Sequence, residues 1–131
     1  MSTLMFSEYA HLVKGHLYTC DINQKNINNA KKFTKRFKDK VTFYLDDSVL
    51  FLKNFDKKID FLFLDSLDGQ HPNAAEHQLN EIKNSINRLH NRSLVLLDDK
   101  GIKTNLSAKY MVNHGFKIIN ETNKQLLLAF R

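Results

Sequence analysis

The sequence predicts an α/β fold, a mostly parallel sheet flanked by helices and closed by an antiparallel hairpin at its carboxyl end. Three observations carry this reading. Short apolar runs that stop on aspartate alternate with segments of helical periodicity. The run Ile59-Asp60-Phe61-Leu62-Phe63-Leu64-Asp65 is too short for a helix and does not alternate, the pattern of a parallel strand covered on both faces. Two last apolar runs, Phe116 to Ile119 and Gln125 to Phe130, are separated by Asn120 to Lys124 as the arms of a hairpin are.

Taken in order, Thr3 to Val13 carry Leu4, Met5, Tyr9, Leu12 and Val13 at near-helical spacing, with Ser2 or Thr3 as cap and Gly15 as a left-handed stop. Leu17 to Cys20 reads as a strand that stops at Asp21. A helix capped by Asn23 or Asp21 runs to about Phe37 and turns Ile27, Ala30, Phe33 and Phe37 inward. Val41 to Leu45 is the second strand and stops on Asp46-Asp47-Ser48; a short helix to Asn54 then presents Val49, Leu50 and Phe51 to the core. The strand at Ile59 follows and is predicted to be the middle of the sheet. Pro72 opens a long helix through Ala74, Ala75, Leu79, Ile82, Ile86 and Leu89 to about His90. Ser93 to Leu97 is the next strand and ends on Asp98-Asp99; Thr104 to His114 is a helix closed by Gly115.

A chain of 131 residues, 42% of them hydrophobic, is predicted to form one domain over residues 1–131. The single cysteine, Cys20, excludes an intramolecular disulfide, and no charged start precedes an apolar run with a cleavage site, so the cytoplasm is expected. No apolar stretch is long enough to cross a bilayer, and no membrane partner is expected. The net charge of +6 is concentrated at Lys25, Lys31, Lys32, Lys35, Arg36, Lys38 and Lys40. Such a run suits a phosphate-facing patch or the solvated face of an amphipathic helix. Without aromatic stacking residues beside it the second reading is preferred, and nucleic acid is not expected as a partner.

The acids at the strand ends are the candidate chemistry. Two parallel strands joined by a right-handed helical crossover place Asp65, Asp98 and Asp99 on one rim, where open α/β sheets bind their ligands. Carboxylates there accept hydrogen bonds from ribose hydroxyls and an exocyclic amine and complement a cation. Aspartate also caps helices and forms turns, so each acid alone is weak evidence. His77 shares a helix face with Glu81 and lies beside Glu76; it is either a base or ligand at the rim or a helix-surface contact. His71 stands in a similar position, while His11, His16, His90 and His114 read as surface residues.

With these strands and acids in place, the chain resembles the class I S-adenosylmethionine-dependent methyltransferases, small-molecule O-methyltransferase-like members in particular. The matching stretches are Leu17 to Asp21, Val41 to Ser48, Ile59 to Asp65, Ser93 to Asp99, the Ala-Glu-His-Gln-Leu helix and the closing hairpin. The resemblance implies a Rossmann-like three-layer sandwich that moves a methyl group from S-adenosylmethionine to an oxygen or nitrogen of a small-molecule acceptor. The alternative is a non-catalytic module of the same fold that keeps a nucleotide-like ligand. It implies that Asp21, with Ile22, holds the ribose, that Asp47 and Ser48 lie against the adenine, and that Asp65 stands beside the methyl-donor centre. Ser2 and Thr3 look like the Gly-x-Ser-Thr that touches the cofactor in the family. In metal-dependent members acid and amide ligands at the corresponding strand ends bind magnesium, and the resemblance implies Asp65, Asp98 and Asp99 for that place here. Their lysine base falls close to Asp68 here, which joins Asp65 and His77 as the candidate catalytic set. The family's first strand and glycine-rich turn have no counterpart, so an N-terminally truncated fold is expected. Its strands would fall in two blocks, Val41 with Leu17 and Ile59 with Ser93, Gln125 and Phe116, with a second copy or a strand-supplying partner at the open edge.

Overall fold

The computed structural model describes residues 2–67 and 70–130, so Asp68, one of the three candidate catalytic residues, lies outside the described residues. The chain is α/β, with parallel strands first and an antiparallel hairpin last, and it divides into two compact units, Met1–Phe51 and Leu52–Arg131. The strands fall in the two expected groups, one of two strands and one of four.

In the first unit, α1 (Ser2–Leu12) precedes β1 (Leu17–Asp21), α2 (Gln24–Phe33) and β2 (Val41–Leu45). The strands β1 and β2 are parallel, from Leu17 opposite Val41 to Asp21 opposite Leu45. The left-handed residue that ends α1 is Lys14, at φ 58°, and not Gly15. The Gly15 N–H reaches the Ala10 carbonyl at 2.8 Å and the Lys14 N–H the His11 carbonyl at 3.4 Å, a Schellman closure whose left-handed place falls one residue earlier than expected.

Asn23 caps α2, its side chain accepting from the Lys25 N–H at 2.8 Å and the Asn26 N–H at 3.4 Å. The helix stops at Phe33, short of the expected Phe37, because Thr34 turns its hydroxyl back onto the Ala30 carbonyl at 2.8 Å. The 3₁₀ segment Lys35–Lys40 that follows is kinked at Phe37, which it turns into the core at 6% exposure, while Phe33 is left 57% exposed.

In α3 (Ser48–Asn54) the inward residue is Leu52 and not Leu50, which is exposed. Two residues apart on a helix means ~200° of rotation, so the two leucines cannot share a face. Asp47 caps this helix, its Oδ2 accepting from the Leu50 N–H at 3.1 Å.

In the second unit, β3 (Ile59–Leu64), α4 (Ala74–Ser85), β4 (Leu89–Asp98), α5 (Thr104–Asn113), β5 (Phe116–Glu121) and β6 (Gln125–Phe130) build a sheet of order β3-β4-β6-β5. β3 runs parallel to β4, and the other two pairings are antiparallel. The strand at Ile59 is thus the edge of this sheet and not its middle. β4 takes that place, because its apolar run is paired on both sides, with Val95 and Leu97 wholly buried. Ile82, Met111 and Leu128, also fully buried, complete the core, and α4 and α5 pack on one another.

α4 is shorter than expected at both ends. Pro72 precedes its cap, Asn73, and the Ser85 hydroxyl folds back onto the Glu81 carbonyl at 2.8 Å, after which a 3₁₀ turn, Ile86–Arg88, leads directly into β4 at Leu89. The early start of β4 is accommodated by a bulge, since Ile59 pairs with Leu89 but Phe61 pairs with Leu94. Ser93, fully buried, repairs the ladder there: its hydroxyl donates to the Ile59 carbonyl at 2.6 Å and accepts from the His90 N–H at 2.9 Å. His90 Nε2 meets Asp60 Oδ1 at 2.6 Å, and His16 meets Thr42 Oγ1 at 2.7 Å, so these two histidines have partners that their sequence positions did not reveal. The same holds for His11, whose ring lies 5.5 Å from that of Phe37, and for His114, whose Nδ1 donates to the Tyr110 carbonyl at 2.7 Å. As expected, Gly115 closes α5 in the left-handed region, at φ +94°. Among the described residues, no helix is long and apolar enough to cross a membrane.

Candidate functional site

The rim of the second unit is set by the ladder between β3 and β4. Leu64 is paired with Leu97, so the next residues, Asp65 and Asp98, leave the sheet at the same end. Gln125, opposite Asp98 on β6, donates its side-chain amide to Asp98 Oδ1 at 3.0 Å and holds that carboxylate in place. Asp99 takes a left-handed backbone at φ 57°, which aspartate tolerates better than most residues. Its carbonyl accepts from the N–H groups of Ile102 and Lys103 at 3.2 and 3.1 Å, winding the chain back on itself before α5. One carboxylate oxygen from each of Asp65, Asp98 and Asp99 lies within 4.8 Å of the others, as the sequence predicted.

The winding at Asp99 delivers a residue the sequence reading missed. Lys103 is 1% exposed, and its ammonium lies 3.3 Å from Asp65 Oδ1, 3.3 Å from Asp99 Oδ2 and 2.6 Å from the Leu67 carbonyl. A lysine four residues after an acid ordinarily reads as a surface pair, so the one available signal pointed outward. The Asp65 carboxyl is pushed up from 3.8 to about 6, first by burial and then by a hydrogen bond to Asp98 and the charge of that group, with Lys103 pulling the other way. About half of the Asp65 side chain remains open to solvent, so the group is reachable from outside.

His77 belongs to a different arrangement on α4. Its Nε2 lies 3.8 Å from Glu81 Oε2, and Glu81, only 2% exposed, accepts from the Ser66 hydroxyl at 2.9 Å. The pair is therefore an inward contact rather than a helix-surface one, and it ties α4 to the loop that follows Asp65. His71 accepts the Asn73 N–H at its own Nδ1, 3.1 Å away, within that loop.

In the first unit the carboxyl ends of β1 and β2 lie side by side, with the Asp46 N–H donating to the Asp21 carbonyl at 3.1 Å. Both oxygens of the Asp21 carboxylate are engaged, Oδ1 by the Asn23 N–H at 2.8 Å and Oδ2 by the Asn26 side-chain amide at 3.2 Å. Each carboxylate oxygen has a second lone pair, so Asp21 keeps acceptor capacity. Ile22 is 73% exposed beside it, Asp47 and Ser48 open α3, and Ser2 and Thr3 form the first turn of α1.

The lysine-rich segment also belongs to this unit. Lys31, Lys35 and Lys38 line a groove of about 370 Å³ with Thr34, Val41, Thr42 and Phe43, and the Lys31 ammonium stands 5.7 Å from the centre of the Phe43 ring.

The family model described as a methyltransferase domain matches residues 1–100. The chain belongs to the methyltransferase domain family. Its fold is that of the class I S-adenosylmethionine-dependent methyltransferases. Three solved structures are similar to it: a ribosomal protein L11 methylase from Lactobacillus delbrueckii subsp. bulgaricus (14% identity, TM-score 0.69, 98% of this chain and 65% of that one), the Podospora anserina methyltransferase PaMTH1 bound to SAH (12%, 0.67, 90% and 62%) and TrmN from Thermus thermophilus (15%, 0.72, 95% and 40%). At these identities the likeness is one of fold, and the chain spans between 40% and 65% of the three proteins. No curated protein matches the sequence significantly.

Within this methyltransferase fold, the acceptors at the ends of β1 and β2 fit the nucleoside part of the cofactor, because hydroxyl and amine donors need the lone pairs that Asp21 still offers. A magnesium ion fits less well. Three carboxylates are the hard oxygen donors magnesium takes, but an ammonium already lies 3.3 Å from two of them. A dication about 4 Å from an ammonium meets ~8 kcal/mol of repulsion at an effective dielectric constant of about 20. The residues of this rim therefore do not fit the metal.

Proposed function

We propose that this methyltransferase domain transfers a methyl group from S-adenosylmethionine to an oxygen or nitrogen atom of a small-molecule acceptor. When bound, the cofactor supplies a methyl group on a positively charged sulfur. In this reading Asp21 and Ile22 hold the ribose, Asp47 and Ser48 hold the adenine, and Ser2 and Thr3 of α1 contact the rest of the cofactor. Asp65 takes the proton from the acceptor nucleophile, and His77, through Glu81 and Ser66, holds the segment that follows Asp65.

The observation that carries the reading is the Asp65 carboxyl, half open to solvent and raised to about 6 beside Asp98, since a general base works best when its pKa is near the working pH. Positioning of the two reactants would supply most of the rate.

Isothermal titration with S-adenosylmethionine tests the proposal at its base. Heat with one-site stoichiometry is expected, weakened by Asp21→Ala; no detectable heat at millimolar ligand would remove the enzyme reading. If the cofactor binds but no acceptor is methylated, the non-catalytic nucleotide-binding module is the better description.

Among the described residues β1 and β3 each have a ladder partner on one side only, which supports a second copy or a strand-supplying partner at one of these edges.

A further inference from the structure

We infer that Lys103 is the resident cation of the Asp65, Asp98 and Asp99 rim, that its ammonium excludes a divalent metal, and that the rim therefore engages an acceptor through one nucleophilic atom instead of chelating a pair of oxygens. The last part rests on the methyl-transfer reading; the first two do not.

An ammonium has three N–H donors and no acceptor. Those of Lys103 have three oxygens within reach, from Asp65, Asp99 and Leu67, so its capacity is matched. At 1% exposure the group has almost no water to turn to, and a metal that displaced it would leave a buried cation without acceptors. The backbone keeps it there. The left-handed Asp99, whose carbonyl accepts from the Lys103 N–H itself, fixes the short turn between the acid and the lysine.

The fourth element of the rim fixes where one of these acids stands. Gln125 donates to Asp98 Oδ1, so the carboxylate that Lys103 does not contact is already engaged by an amide. These oxygens keep further lone pairs, so it is the charge of the Lys103 ammonium, 3.3 Å from Asp65 and from Asp99, and not a lack of acceptors, that keeps a dication out. Without a metal to grip two adjacent oxygens, selectivity for vicinal diols of the catechol kind has no physical basis at this rim. A lone hydroxyl or amine within reach of Asp65 satisfies it.

Manganese titration followed by electron paramagnetic resonance, with amide line broadening at Asp98 and Asp99 as the site-specific readout, tests this without cofactor or acceptor. The wild-type protein should bind no Mn²⁺ saturably at the rim. Lys103→Met, or Lys103→Gln if the first variant does not fold, should gain a site at least about tenfold tighter, lost again when Asp65→Asn is added. A lysine with only a packing role would not move this readout. Saturable Mn²⁺ binding at the rim of the wild type, abolished by Asp65→Asn, overturns the inference whatever the variants do. A folded Lys103 variant that gains no metal overturns it as well. Absence of S-adenosylmethionine binding would sink the methyl-transfer reading and leave this result untouched.

Discussion

Replacing Asp65 with asparagine keeps an oxygen for Lys103 and removes a carboxyl whose pKa is clearly displaced. In the folded chain that carboxyl is raised from 3.8 to about 6, so the fold holds the proton more tightly than the unfolded chain does. The stability this contributes is complete below about 3.8 and is lost as pH rises through about 6. A fully shielded carboxyl displaced this far would carry ~3 kcal/mol. Asp65 is 47% exposed at its side chain, and solvent screening reduces the effect to about 1 kcal/mol. Urea denaturation of the wild type and Asp65→Asn between pH 4 and pH 7.5 measures it directly. The variant should gain about 1 kcal/mol on the wild type across that range, as the cost of burying the Asp65 charge and then its interaction with Asp98 are removed. Should the wild type gain on the variant instead, the Lys103 ammonium outweighs burial and Asp98. The base role given to Asp65 would then lose its support. A carbon-13 titration of the Asp65 carboxyl with a midpoint below 4 would lead to the same conclusion.

Gly115→Ala should cost roughly 2–3 kcal/mol in thermal or urea unfolding, from a left-handed backbone and a Cβ placed 2.8 Å from the Phe130 ring. Gly15→Ala, whose Cβ would meet nothing closer than 3.4 Å, should change stability by less than about 0.5 kcal/mol. Ser93→Ala removes a buried hydroxyl with two partners and should cost about 1–3 kcal/mol, with faster hydrogen exchange at the His90 amide.

The strands were legible because each is an apolar run with a charged stop; the crossover and hairpin rules pair β3 with β4 and β5 with β6, and the placing of β6 beside β4 is what the family resemblance implied. What escaped the sequence depended on contacts that spacing does not encode. Phe33 and Phe37 have the same helical phase on paper, and a single hydroxyl, that of Thr34 on the Ala30 carbonyl, decides which one is buried. At the rim, the three acids could be placed from strand ends alone, because a parallel ladder aligns residues in a countable way. Lys103 could not, since its burial depends on a left-handed turn at Asp99 and on Asp65 and Leu67, both far away in sequence.

The bulge at the start of β4 separates two mechanical duties along one strand. Residues Leu94 to Leu97 are clamped from both sides, by β3 and by β6, so their positions are over-determined. Residues 90–93 answer to a single neighbour and already carry surplus length opposite Asp60. A length change in that stretch is taken up as slack before it reaches the clamped part, so insertions there should leave Asp98 where it is. The same change between Leu94 and Asp98 would advance the strand by one step, reverse its inward and outward faces, and exchange the partner that stands beside Asp65.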